Sequence, residues 1–276
     1  MYILAHRGIS LPGKQYPESS VQAFADCLAK GFGIEFDVNF TVDNKIIIWH
    51  DEHLGRLFNN KNKPFLEEIT LADFKKIKVD GCSFCELADL LELIKQPKIK
   101  LNALHCKGKF QDKDHLDLLI KDLLKYKSVL SKVFIFDLKP ESARYLKSKL
   151  PKMNLACSVA HFYDKKRFNQ YVDGTLLTIG EAIKNKKLYN WVWLDEWDRL
   201  NTKGEKIFYN EKNFKLLRKN NFKIALVTPE LHCLAPNKKY GGHQDAQTKV
   251  IWRERIKEII NLQPDLVCTD YPDYFN

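Results

Sequence analysis

The chain is poor in the residues that break a backbone. Glycine occurs 12 times and proline 10 times in 276 residues, both below ordinary usage, which excludes collagen-like and low-complexity chains. Cysteine occurs 7 times, at positions 27, 82, 85, 106, 157, 233 and 268. That odd, scattered set excludes a disulfide-stapled scaffold and suits a reducing cytosol. Cys82 and Cys85 form a lone CxxC with no second pair, so they read as two ordinary thiols rather than a zinc site. No apolar run approaches the ~18 residues of a membrane span. The start, MYILAHRG, leaves only four residues between Met1 and His6, too few for a leader core, so the expected location is cytoplasmic. No GxGxxG follows any strand-like run, which argues against a dinucleotide-binding open sheet. No Pro/Gly/Ser-rich linker and no internal repeat divides the chain, so one domain over residues 1–276 is expected.

Hydrophobic residues make up 45% and charged residues 29% of the chain, an ordinary balance that allows a sizeable buried core. Lys and Arg outnumber Asp and Glu by 45 to 35, a net charge of +10. Such a surplus suits an anionic partner: nucleic acid, acidic lipid or a phosphorylated substrate. The lysines, however, are scattered in pairs such as Lys75-Lys76, Lys165-Lys166 and Lys186-Lys187, without an interleaved aromatic platform. No nucleic-acid partner is therefore expected. Oligomeric state leaves no signal in the sequence.

Short apolar runs at 2–5, 33–38, 99–106, 133–138, 154–159, 190–195, 222–227 and 265–269 read as eight strands, separated by stretches of helical periodicity. A further run at 45–49 follows the second strand closely and reads as its hairpin partner. Ser19 or Ser20 is placed to cap a helix that carries Val21, Phe24 and Leu28 on one face and stops at Gly31. The alternation predicts a (β/α)₈ TIM barrel with a hairpin after strand 2 and long mouth loops at 51–98 and 228–249. A doubly wound open sheet is the structural alternative.

Barrel active sites lie at the C-terminal strand ends. Those ends carry His6-Arg7, Glu35 with Asp37, His50-Asp51, His105-Cys106-Lys107, Asp137, Asp195 and Asp270. Glu35 and Asp37 are two apart on a strand and share a face. An inward pair of carboxylates calls for a cation between them, and oxygen ligands favour Mg²⁺ or Ca²⁺. In the opposite register both would simply face solvent. His6 and His50 flank the pair as candidate general acid and base. Arg7 offers a fork for a phosphate and Lys107 a point charge.

The ordered set Ala5-His6-Arg7-Gly8, Pro17-Glu18-Ser19-Ser20, Ile34-Glu35-Phe36-Asp37-Val38, Thr41-x-Asp43, His50-Asp51 and Leu54-x-Arg56 resembles the glycerophosphodiester phosphodiesterase family. The likeness is dense from residue 3 to about 58. It is weaker through Phe84-Cys85-Glu86-Leu87, Leu101 to Lys107 and Thr269-Asp270-Tyr271-Pro272. It implies a (β/α)₈ barrel that hydrolyses phosphodiesters with a divalent metal. The family's histidine pair falls on His6 and His50, its metal carboxylates on Glu35 and Asp37, and its phosphate contact on Arg7. The family's usual Glu-x-Lys strand reads His105-Cys106-Lys107, so the lysine is kept and the third carboxylate is replaced by His105. As a ligand, His105 gives a softer, less anionic site, with weaker Ca²⁺ or Mg²⁺ affinity and more tolerance for Mn²⁺ or Zn²⁺. The other reading makes it a donor behind the ligands, with water in the gap. Ser19 stands where the family usually has asparagine, a change of little expected consequence. Glu230 and His232 either touch substrate from the 228–249 loop or tie that loop down.

The implied reaction is hydrolysis of a phosphodiester, most simply a glycerophosphodiester, through a cyclic phosphate, with His50 favoured by analogy as the acid. A lyase that stops at the cyclic phosphate is one alternative, and a non-catalytic barrel that binds a phosphorylated sugar is another.

Overall fold

A computed structural model describes residues 1–10, 16–60, 62–96, 98, 101–197, 200–201, 204–228 and 249–275. Eight of its strands are parallel neighbours in one sheet: β1 (Tyr2–His6), β2 (Gly33–Phe40), β6 (Asn102–Cys106), β7 (Val133–Phe136), β8 (Asn154–Ala160), β9 (Trp191–Asp195), β12 (Lys223–Val227) and β13 (Leu266–Thr269). Pairing of β1 with both β13 and β2 closes the sheet into a barrel, so no edge is left on the ring itself. The expected hairpin is present as β3 (Ile46–Ile48), antiparallel to β2. Two small hairpins sit outside the barrel: β4 (Lys78–Val79) with β5 (Cys82–Ser83), and β10 (Leu200–Asn201) with β11 (Gly204–Glu205). The expected strands match within a few residues at each end.

Helices fill the intervals: α1 (Val21–Ala29), α2 (Leu71–Phe74), α3 (Leu87–Ile94), α4 (Lys113–Lys125), α5 (Pro140–Lys149), α6 (Phe162–Phe168), α7 (Ile179–Lys184), α8 (Glu211–Lys219) and α9 (Lys249–Asn261). The cap of α1 is Ser20, whose Oγ accepts from the Ala23 N–H at 3.1 Å. Ser19 is not the cap. It sits at φ 60° with its hydroxyl buried and unbonded, a left-handed conformation that asparagine adopts more readily than serine.

Strand alternation divides the core into two layers. Ile34, Phe36 and Val38 face outward and pack with helix residues such as Phe24, Leu90 and Leu116. Leu4, Ala103, Phe134, Phe136, Trp191, Trp193 and Ala225 fill the barrel interior. Within that interior Phe134 stacks on Trp191 (centroids 5.3 Å apart) and Phe136 on Trp193 (4.1 Å). Large rings thus floor the site, and the polar side chains lie above them. Trp49 and Trp197 are also buried, against Phe84 and Phe168.

Gly8, in the turn after β1, sits at φ 75°, and a Cβ there would lie 3.0 Å from Phe24 and 3.1 Å from the Ala23 backbone. The turn after β1 therefore lies hard against α1, which fixes Arg7 (φ 52°) over the barrel mouth. Phe134→Ala should cost about 3–5 kcal/mol of unfolding free energy through the cavity it leaves. Urea denaturation measures this, and a loss below about 1 kcal/mol would mean the ring floor is not tightly packed.

Candidate active site

His6, Arg7, Glu35, Asp37, His50, His105 and Lys107 converge at the C-terminal mouth of the barrel. Register dictates much of this: His6 lies beside Glu35, and Asp37 beside His105. Glu230 and His232 lie outside the described residues. His115 is tied to Asp112, and His53 accepts from the Gly55 N–H, so neither joins the cluster.

Glu35 and Asp37 point into the barrel at 2% and 1% exposure. Burial and the charge of Asp37 push Glu35 above the usual carboxylate range. Burial acts on Asp37 too, but the positive charges around it win and hold it well below that range. Those charges are close. Lys107 Nζ is 3.0 Å from Oδ1 and Arg7 Nε is 3.2 Å from Oδ2. The Arg7 approach is misaligned, so Asp37 Oδ2 and Arg7 Nε are both buried without a hydrogen bond. The Arg7 backbone N–H also donates to Glu35 Oε2 at 3.3 Å.

His105 is held at both ring nitrogens. Nδ1 is 2.8 Å from Asp37 Oδ1 and Nε2 is 2.9 Å from Asp137 Oδ2. Ionised carboxylates only accept, so both nitrogens donate and the ring is an imidazolium. Burial opposes that charge, but the bonds to Asp137 and Asp37 outweigh it and push the ring up to about 9. The ring also stacks on Phe136, with centroids 4.5 Å apart.

Each candidate acid–base histidine has its own carboxylate. His6 Nδ1 is 2.8 Å from Asp270 Oδ1, and His50 Nδ1 is 2.6 Å from Asp51 Oδ1. A donor bond from Nδ1 leaves Nε2 as the reactive nitrogen of a neutral ring. Burial, with Lys107 and Arg7 nearby, pushes His50 down to about 3. An outer arc of ion pairs fixes these groups. Arg56 bonds Asp51 and Glu18 at 2.6 Å each, and Glu18 bonds Arg7 at 3.0 Å. Burial resists the charge on Glu18, but Arg56 and Arg7 lower it to about 2.

The donor chemistry fits a divalent cation. One atom each of Glu35, Asp37 and His105 lies within 4.8 Å of the others, and one buried Asp37 oxygen has no hydrogen bond to lose. A cavity of about 170 Å³ opens beside His50 and Lys107, lined also by Phe65, Glu67, Lys109 and Phe110. The larger cleft, near 870 Å³, lies at the opposite end of the barrel around Gly33 and Asp265, away from these groups.

Strand-end reasoning located the donors but not their partners. Asp270, Asp51 and Asp137 stood out as strand-end acids without a role, and Glu18 and Arg56 only as motif letters. Thr175, which donates to Asp137 Oδ1 at 2.6 Å, gave no signal, because a distant loop supplies it.

The model of the glycerophosphoryl diester phosphodiesterase family matches residues 6–274. A glycerophosphodiester phosphodiesterase of Caldanaerobacter subterraneus is 36% identical over 85 residues, 30% of this chain and 32% of the relative. One of Bacillus altitudinis is 25% identical over 163 residues, 56% of this chain and 64% of the relative. The chain thus matches about a third and under two thirds of the lengths of these two curated relatives. A solved Oleispira antarctica phosphodiesterase, in complex with the product sn-glycerol-3-phosphate, shares the fold with a TM-score of 0.64. It is 14% identical, with 99% of this chain and 94% of that one covered.

In chelator-treated protein at pH 7, ring-nitrogen NMR should show His105 protonated on both nitrogens and His50 neutral. Because the folded His105 value lies above the free value of 6.5, its contribution to stability is complete below that pH and is lost as pH rises through about 9. A neutral His105 at pH 7 would contradict this electrostatic picture.

Proposed function

We propose that this chain, which belongs to the glycerophosphoryl diester phosphodiesterase family, hydrolyses a glycerophosphodiester with the aid of one divalent cation. Residues 1–276 act as one barrel domain in this reading. The observation that carries it is the pairing of His6–Asp270 and His50–Asp51 around the buried Glu35–Asp37 pair.

Glu35, Asp37 and His105 hold the cation, either Mg²⁺ or Ca²⁺, or Mn²⁺ or Zn²⁺ in view of the imidazole. When bound, the cation offers Lewis-acid stabilisation of charge on a phosphoryl oxygen. Arg7 and Lys107 set positive charge at the same place and orient the phosphate. His6, oriented by Asp270 through Nδ1, takes the proton of the substrate hydroxyl beside the phosphate. That oxygen attacks phosphorus, and His50 protonates the departing alcohol oxygen, leaving a cyclic phosphate. Water then opens the ring with the two histidine roles exchanged. The low affinity of His50 for a proton stems from burial and from Lys107 and Arg7. A phosphodiester anion bound beside those two cations offsets their repulsion and lets His50 carry the proton it must donate. The alcohol group lies in the cavity bounded by Phe65, Glu67, Lys109 and Phe110.

A screen of glycerophosphodiesters should show turnover that a chelator abolishes and a divalent cation restores. His6→Ala and His50→Ala should each lower kcat by about 10²–10⁴. Phosphorus NMR should show open-chain glycerol phosphate as the final product. A cyclic phosphate that accumulates without opening makes the chain a lyase, and wild-type rates in both variants would refute the two-histidine mechanism.

A further inference from the structure

His105 enters the site with its ring fixed from three sides, and only one of them is the cation-binding side. A histidine that ligates through Nδ1 must keep its other proton on Nε2, and that N–H needs a fixed acceptor. Asp137 Oδ2 is that acceptor at 2.9 Å. Asp137 is itself held more firmly than a simple counterion requires. Its Oδ1 accepts the Thr175 hydroxyl at 2.6 Å, and its backbone carbonyl accepts from Gln111 Nε2 at 2.8 Å. Gln111 in turn accepts from the Lys139 N–H. Asp137 takes φ 68°, a left-handed conformation that is unfavourable for a non-glycine residue and persists where neighbours over-determine it. Thr175 is 1% exposed and Asp137 8%, so water does not replace either partner easily.

We infer that Asp137, backed by Thr175, is the positioning residue that turns His105 Nδ1 toward Glu35 and Asp37 as a metal ligand. The inference rests on the reading that Glu35, Asp37 and His105 hold a divalent cation. In the structure Nδ1 itself lies 2.8 Å from Asp37 Oδ1 and 3.9 Å from Glu35 Oε1, so its proton is directed at Asp37. With a cation held by these three residues, Nδ1 would give up that proton to ligate, while the Nε2–H bond to Asp137 would stay intact. With a neutral ring, the cluster then presents three carboxylate charges, from Glu35, Asp37 and Asp137. The imidazole thus brings a nitrogen ligand without making the neighbourhood less anionic.

The test measures Mn²⁺ and Zn²⁺ affinity of the full chain by competition with a chromophoric chelator, alongside proton NMR of the Zn²⁺-loaded protein. Asp137→Asn should weaken binding about 10–100-fold and remove a downfield Nε2–H resonance. Thr175→Val should give a smaller loss with the resonance shifted, and it guards against a fold defect in the first variant. In a His105→Glu background, Asp137→Asn should cost only the small part of that loss due to its charge, because no imidazole remains to orient. Equal affinity of wild type and Asp137→Asn, or the same loss in the His105→Glu background, overturns the positioning role and leaves the proposed function standing. A wild-type chain that binds neither ion, nor Mg²⁺ or Ca²⁺ in the same competition, overturns both.

Discussion

Two carboxylates on one inward face of a strand are the constraint on which the rest of the site depends. Glu35 and Asp37 are nearly inaccessible to water, and their charges repel at close range. Strand register gives them no escape. A one-residue slip of β2 would bring Ile34, Phe36 and Val38 inside and strip the helix layer of its packing partners. The apolar face of the strand therefore forces its acidic face into the barrel. Compensation must come from cations, and the chain gathers Arg7, Lys107 and the His105 ring around Asp37. Each of these stands on a turn or strand whose own position is set by close packing or register.

The same cations tune the histidines. Lys107 lies against the His50 carbonyl as well as Asp37, so the group that stabilises the carboxylate also disfavours a charge on His50. His6 is differently placed, beside Glu35 and bonded to Asp270. Two chemically identical side chains thus meet different fields, a separation of roles that acid–base catalysis exploits. The Arg56–Glu18–Arg7 arc ties the two sides together and keeps Asp51 on His50 rather than on solvent.

Much of this was legible in the sequence, for a physical reason. The parallel strands of a barrel are buried on both faces, so they appear as apolar runs, and any ionisable residue at their C-terminal ends stands out. His6, Glu35, Asp37, His50, His105 and Lys107 were all visible in that way, and period-2 alternation already put Glu35 and Asp37 on one face. What stayed hidden depends on contacts between distant segments. Nothing local says that Asp270 reaches His6, 264 positions away, or that Thr175 bonds Asp137. The α1 cap shows the limit of local reading from the other side: two adjacent serines offer the same chemistry, and only backbone conformation selects Ser20. An aromatic at a strand end likewise reads equally as platform or as packing, and only the stacking of Trp193 on Phe136 assigns it to the floor.

The central claim is that Glu35, Asp37 and His105 form one cation site at the barrel mouth. Anomalous diffraction from crystals grown with Mn²⁺ tests it most directly. A single strong peak is expected at coordination distance from Glu35, Asp37 and His105 Nδ1, with the Nε2 bond to Asp137 retained. No peak there, with His105 still bonded to Asp37 through Nδ1, would contradict it.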